Sequence, residues 1–169
     1  ILRARLLAGL ERREEARQVL EPLHERARSD ARLLPLLAGA WIEAGAPDRA
    51  AELFRVDAID RKTPLAIREA WARSLLALER WRAVTVVPAN AGDRNLHLYA
   101  GIAWRELGDR KKARAALRRT ATRQAGKMPV DAVVHLALAD LEDGAIAKAR
   151  RNLERLGQGP RARTAGRWA

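Results

Sequence analysis

The chain has 169 residues, enough for one ordinary domain with a sizeable core. It has no Cys, which excludes a disulfide framework, a thiolate metal site and a Cys nucleophile, and its three His residues, His24, His97 and His135, are too scattered for a metal centre. The net charge of +12 is carried mostly by Arg, a content that fits an acidic ligand and fits a GC-rich genome equally well.

Ala, Leu, Arg and Glu dominate the composition, and these residues lose least on entering a helix. In chain order, amphipathic stretches bounded by Gly, Pro or Asp predict helices at about 3–10, 13–27, 31–44, 47–57, 64–78, 80–87, 94–107, 110–124, 130–142 and 145–156. No apolar run approaches the roughly 18 residues that would cross a bilayer. The opening Ile-Leu-Arg-Ala-Arg is not a secretion signal and there is no initiator Met, so the chain is expected to be a segment of a longer protein. The turns between paired helices are short, which makes each pair an antiparallel hairpin.

The hairpins repeat. Ala38, Trp41, Gly45, Ala50 and Phe54 match Gly101, Trp104, Gly108, Ala113 and Leu117 in type and spacing. The same ladder runs through Ala4, Leu7, Glu11, Ala16 and Leu20, through Ala72, Leu75, Glu79 and Val84, and through Ala137, Gly144, Ala149 and Leu153. The turn positions 11, 45, 79, 108 and 144 are separated by 34, 34, 29 and 36 residues. This ladder resembles the tetratricopeptide repeat (TPR), whose period is 34 residues, and the resemblance spans nearly the whole chain. It implies an all-α, right-handed superhelical solenoid of about five helix pairs that binds partners and does not catalyse. Residues 1–157 are expected to form a single array, with repeats at about 1–30, 31–63, 64–92, 93–128 and 129–157, and 158–169 a basic tail or the start of a further repeat.

The ladder has a physical basis. Small residues allow two helices to cross closely, Gly suits the turn that ends the first helix, and large apolar residues fill the space between hairpins. The 29-residue step shortens the third repeat, because Pro88 in Val86-Val87-Pro88 cannot continue a helix. A local change of curvature is expected there, with Val86 and Val87 both packing inward. Trp41, Trp71, Trp81 and Trp104 are expected to be structural, and Trp168 has no packing assignment.

There is no phosphate loop, zinc-protease helix or nucleophile elbow. No catalytic residue, metal or cofactor is therefore assigned. Acidic pairs such as Glu14/Glu15 and Glu142/Asp143 read as surface charge. The resemblance places the usual ligand surface in a groove lined by the first helix of each pair. Mapped onto this chain, that groove contains Arg5, Arg32, Glu43, Arg73, Asn95, Tyr99 and Arg105, with Gly39, Glu106 and Glu142 beside them, a set that could hold an acidic or extended peptide.

The other candidate surface is basic. Arg110, Lys111, Lys112, Arg114, Arg118, Arg119, Arg123 and Lys127 fall in a stretch with no acid. Ala113, Ala116, Leu117 and Thr120 form its inward face, and the tail adds Arg161, Arg163 and Arg167. Such a face attracts acidic protein, nucleic acid or anionic lipid. It lacks aromatics for base stacking and an apolar side for a membrane. The partner expected is a protein or peptide, with an acidic one fitting the basic face and nucleic acid as the second reading. A third reading is the regulatory arm of a larger enzyme or transcription regulator. A bacterial assembly or envelope secretion system is the expected setting, and neither cytoplasm nor periplasm is favoured.

Overall fold

The computed structural model describes residues 1–54, 59–120 and 130–157. These residues form α-helices and no strands. In order they are α1 (Leu2–Gly9), α2 (Arg13–Leu20), a 3-10 turn (Glu21–Leu23), α3 (His24–Arg28), α4 (Leu33–Glu43), α5 (Pro47–Glu52), α6 (Leu65–Ala77), α7 (Trp81–Thr85), α8 (Arg94–Glu106), α9 (Arg110–Thr120), α10 (Val130–Glu142) and α11 (Ile146–Gly157). The fold class is an all-α solenoid of helix pairs. No described helix is long and apolar enough to cross a membrane.

Two compact units share the chain, 1–99 and 100–169, and their boundary falls inside α8. In the first unit α1 pairs with α2 and α4 with α5, and α6 packs on α4, α5 and α7. In the second, α10 packs on both α9 and α11.

The single helix expected at 13–27 is broken. Pro22 has no N–H for the ladder and its ring crowds the preceding turn, so the backbone tightens into a 3-10 turn before α3 resumes. Leu20 and Ala27, on either side of the break, are still buried.

Each hairpin closes in the same way. The turn residues Glu11, Gly45, Glu79, Gly108 and Gly144 are the ones with positive φ among the described residues. The amide of each bonds back three residues: Glu11 to Ala8, Gly45 to Ile42, Glu79 to Leu76, Gly108 to Arg105 and Gly144 to Leu141. The next amide bonds back five, as Ala46 does to Trp41 and Ala145 to Asp140. That pair of bonds is the Schellman closure, which satisfies carbonyls left open at a helix end. Arg17 assists at the second turn, donating to the carbonyls of Ala44 and Gly45 at 3.0 and 2.9 Å.

Glu11 and Glu79 hold a left-handed backbone that costs a residue with a Cβ about 1–2 kcal/mol. Glu79→Gly should therefore raise stability, by about 0.5–1 kcal/mol once the greater freedom of unfolded Gly is subtracted. Gly45→Ala should do the reverse, since Gly45 has φ +70° and a Cβ is strained in that backbone. Thermal melts of the two variants that moved in the same direction would contradict this account.

The core sits on the ladder. Ala4, Ala38, Ala72 and Ala137 are buried, as are Ala16, Ala50, Val84, Ala113 and Ala149 across from them. Trp41 and Trp71 are buried; Trp81 and Trp104 are half-buried. Trp104 lies under the ammonium of Lys112, 4.3 Å from its ring centroid, and so is shielded by a cation where full burial was expected. Leu153, expected as filling, is 44% exposed.

The short third repeat is organised around charge. α7 stops at Thr85, Val87 is buried, and Val86 is 72% exposed, correcting the expectation that both valines turn inward. Arg68 of α6 reaches the chain that follows α7. It donates to the carbonyls of Thr63 and Pro88 at 2.9 and 2.8 Å and pairs with Asp93, both partners being buried. Asp93 also accepts the amide of Asn90 at 2.7 Å, and the Asn90 carbonyl lies 3.1 Å from His97 Nε2. Burial raises the Asp93 carboxyl, but the Asn90 amide and the Arg68 guanidinium outweigh it and hold its pKa below the usual carboxylate range. His97 is therefore bonded as well as packed.

Candidate functional site

Helix α9 begins cleanly because Asp109 caps it, accepting the amide of Lys112 at 3.0 Å and pairing with the Lys112 ammonium at 2.8 Å. Ala113, Leu117 and Thr120 are buried and Ala116 half-buried, as expected, and the Thr120 hydroxyl donates to the Leu117 carbonyl at 2.7 Å. Arg110, Arg114 and Arg118 follow one another at four-residue steps and so share a face, because the helix turns every 3.6 residues. Arg110, Lys111, Arg114, Ala115 and Arg118, with Asp143, line an open groove of about 500 Å³.

The face is not free of acid, as its own segment suggested. Asp143, at the end of α10, pairs with Arg110 at 3.2 Å and with Arg114. Its hydrogen bond from Arg114 holds its carboxyl below the usual range, against the opposing effect of desolvation. Arg114 Nε also lies 3.2 Å from Asp140 Oδ1, and the other Asp140 oxygen accepts from Asn152 at 2.9 Å. Asp140 is buried and occupies the ladder position that holds Leu7, Trp41, Leu75 and Trp104 in the other hairpins. An acid paired with Arg114 thus stands where the other hairpins place a large apolar residue. Lys111 and Arg118 make no ion pair among the described residues, and Arg119 is exposed. Arg123, Lys127 and the tail residues Arg161, Arg163, Arg167 and Trp168 lie outside the described residues.

The residues assigned to a groove on the first helices fall into two sets. In the first unit, Arg5 and Glu43 are brought together by two bonds of 2.7 Å, while Arg32, Arg73 and Asn95 are exposed and Tyr99 is half-buried. In the second unit, Arg105 is largely enclosed. It bonds Glu106 at 2.7 Å, lies 3.7 Å from Glu142, and donates to His135 Nδ1 at 3.0 Å. Burial and the neighbouring guanidinium hold the His135 pKa down, so its imidazole is neutral and can accept that bond. The acidic pairs are likewise engaged, Glu14 with Arg17 and Glu15 with Arg12. Among the described residues no group of His and acidic side chains is placed to hold a metal ion.

Sequence reasoning passed over Arg68, Asp93, Asp140 and Asn152. Asp140 left a legible signal, an acid at a ladder position that is otherwise apolar. Asp93 left none, because its partner lies 25 residues away.

No family model matches the chain, and no curated protein does. Among solved structures it resembles a thermophilic TPR protein of Thermus thermophilus, with a TM-score of 0.63 and 20% identity over 96% of this chain and 94% of that one. The likeness shows the fold: these are TPR-like helical hairpins.

Proposed function

We propose that the chain is a non-catalytic scaffold that docks partner proteins, acting as the TPR-like segment of a larger bacterial protein in an assembly or envelope secretion and export system. The wider setting rests on the use such arrays commonly find and on the Arg- and Ala-rich composition. The observation that carries the docking role is the α9 groove, where four cations face one carboxylate. The first-helix residues of the first unit are a second docking surface in this reading, with Arg5, Arg32, Glu43, Arg73 and Asn95 exposed. The non-catalytic reading is supported by acids such as Glu14, Glu15, Glu43, Asp93 and Asp143, each of which is paired with a guanidinium group.

Reversing Lys111 and Arg118 to Glu tests the reading without cutting an ion pair. Affinity capture from a bacterial lysate should return a set of acidic proteins with the parent chain and lose them with the variant. An unchanged set would sink the α9 surface as the docking site. Titration with random RNA over a salt series is the companion measurement. Micromolar binding that weakens steeply with salt would move the function to nucleic acid.

A further inference from the structure

We infer that the α9 groove is a carboxylate-binding site in which Asp143 occupies the place of an acidic side chain from an extended partner peptide. The inference rests on the scaffold reading and names the chemistry of its partner. Two guanidinium groups, Arg110 and Arg114, converge on the single Asp143 carboxylate. Arg114 has buried Asp140 behind it, its Nε 3.2 Å from Asp140 Oδ1 in an ion pair without hydrogen-bond alignment, while Asn152 holds the other Asp140 oxygen. A guanidinium held in this way loses little freedom when it grips a carboxylate.

Charge in the groove is far from balanced. Arg110, Lys111, Arg114 and Arg118 give four positive charges against the one of Asp143, which leaves three. Lys111 and Arg118 make no ion pair among the described residues, although Lys111 lies in the field of Asp109, so a ligand with several acids gains contacts that Asp143 cannot supply. Spacing selects the shape of that ligand. Arg110, Arg114 and Arg118 recur every four residues, about 6 Å along the helix at 1.5 Å per residue. An extended peptide places every second side chain on one side at intervals of about 6.6–6.8 Å. Asp or Glu at alternate positions therefore matches the stripe, with the ligand's first acids taking over Arg110 and Arg114 and a later one reaching Arg118.

A phosphate backbone fits less well. The groove lining contains no aromatic residue for base stacking, and nearby Trp104 is covered by Lys112.

The test is the anisotropy of a dye-labelled peptide with Glu at alternate positions, at physiological salt, on the full chain. Asp143→Asn removes the internal competitor and should tighten binding severalfold. Lys111→Glu with Arg118→Glu should weaken it about tenfold or more, as expected for reversed charges facing an acidic ligand. Circular dichroism melts establish that each variant is folded, and the Lys111/Arg118 pair keeps the test decisive if Asp143→Asn is not. Unchanged or weaker binding by folded Asp143→Asn would overturn the inference. So would tighter binding of an oligouridylate of equal charge. Proteins captured by the parent chain and lost on charge reversal, with no gain in Asp143→Asn, would leave the scaffold standing and overturn the displacement alone.

Discussion

Replacing Arg68 with Met should destabilise the first unit by about 3–5 kcal/mol, the range for removing one partner of a buried ion pair. The loss is large because the substitution strands several groups at once. Asp93 keeps a buried charge, and the carbonyls of Thr63 and Pro88 lose their donor. At about 2–4 °C per kcal/mol for a chain of this size, the melting temperature should fall by roughly 6–20 °C. Changing both partners, Arg68→Met with Asp93→Leu, should recover part of that, since an apolar pair leaves no buried charge uncompensated. A single variant that melts within a degree or two of the parent chain would show that the network carries no weight.

The same network sets a pH dependence. Asp93 has its pKa lowered in the folded chain, so its contribution is present above the unfolded carboxyl value. It is lost as pH falls through the lower folded value, because the unfolded chain then binds a proton that the folded chain resists. Asp93→Asn should therefore flatten the decline of stability on the acid side of about pH 4.

Gly101→Ala is the second large effect, and its sign runs against helix propensity. Ala is the better helix former by about 1 kcal/mol, and four of the five hairpins carry Ala at the equivalent place. Here, however, an added Cβ would stand 2.6 Å from Leu117 Cγ and 2.7 Å from its Cδ2, with the Leu117 backbone nitrogen at 3.3 Å. Leu117 is fully buried and cannot swing aside without displacing its neighbours. Overpacking of this kind costs about 1–3 kcal/mol, so a net loss of about 1–2 kcal/mol is expected. In a Leu117→Ala background the clashing atoms are gone, and the same Gly101→Ala change should be neutral or stabilising. If its cost is the same in both backgrounds, the contact with Leu117 is not its cause.

The hairpins could be read from the sequence because their closure is local. Positive φ, the small crossing residues and the turn bonds all fall within about twenty residues, and a ladder of residue types records them. The Arg68–Asp93 pair could not be read in that way. It joins positions 25 apart, and either residue alone looks like one more solvated charge on a helix rich in them. Val86 and Val87 show the limit of hydropathy: once α7 ends, neighbouring side chains point in opposite directions and only one can face the core. The basic helix was legible as a run of like charges. Its acids were not, because Asp140 and Asp143 come from the next hairpin and only the fold brings them alongside. Asp140 was still open to detection, since register alone puts it at a position held elsewhere by Leu or Trp.

The spacing from small residue to opposing Ala or Val is twelve residues in every hairpin, as from Ala4 to Ala16 and from Ala72 to Val84. The variation in repeat length therefore lies between hairpins, and the third repeat has lost five residues there relative to the first two. Arg68 is held by the carbonyl of Pro88 and the carboxylate of Asp93, both in the segment that the shortening reshaped. Lengthening α7 by a full turn would move those groups away from Arg68, and a buried guanidinium without partners costs about 3–5 kcal/mol. The short connection and the buried charges are thus physically coupled, and neither can be altered alone without stranding the other.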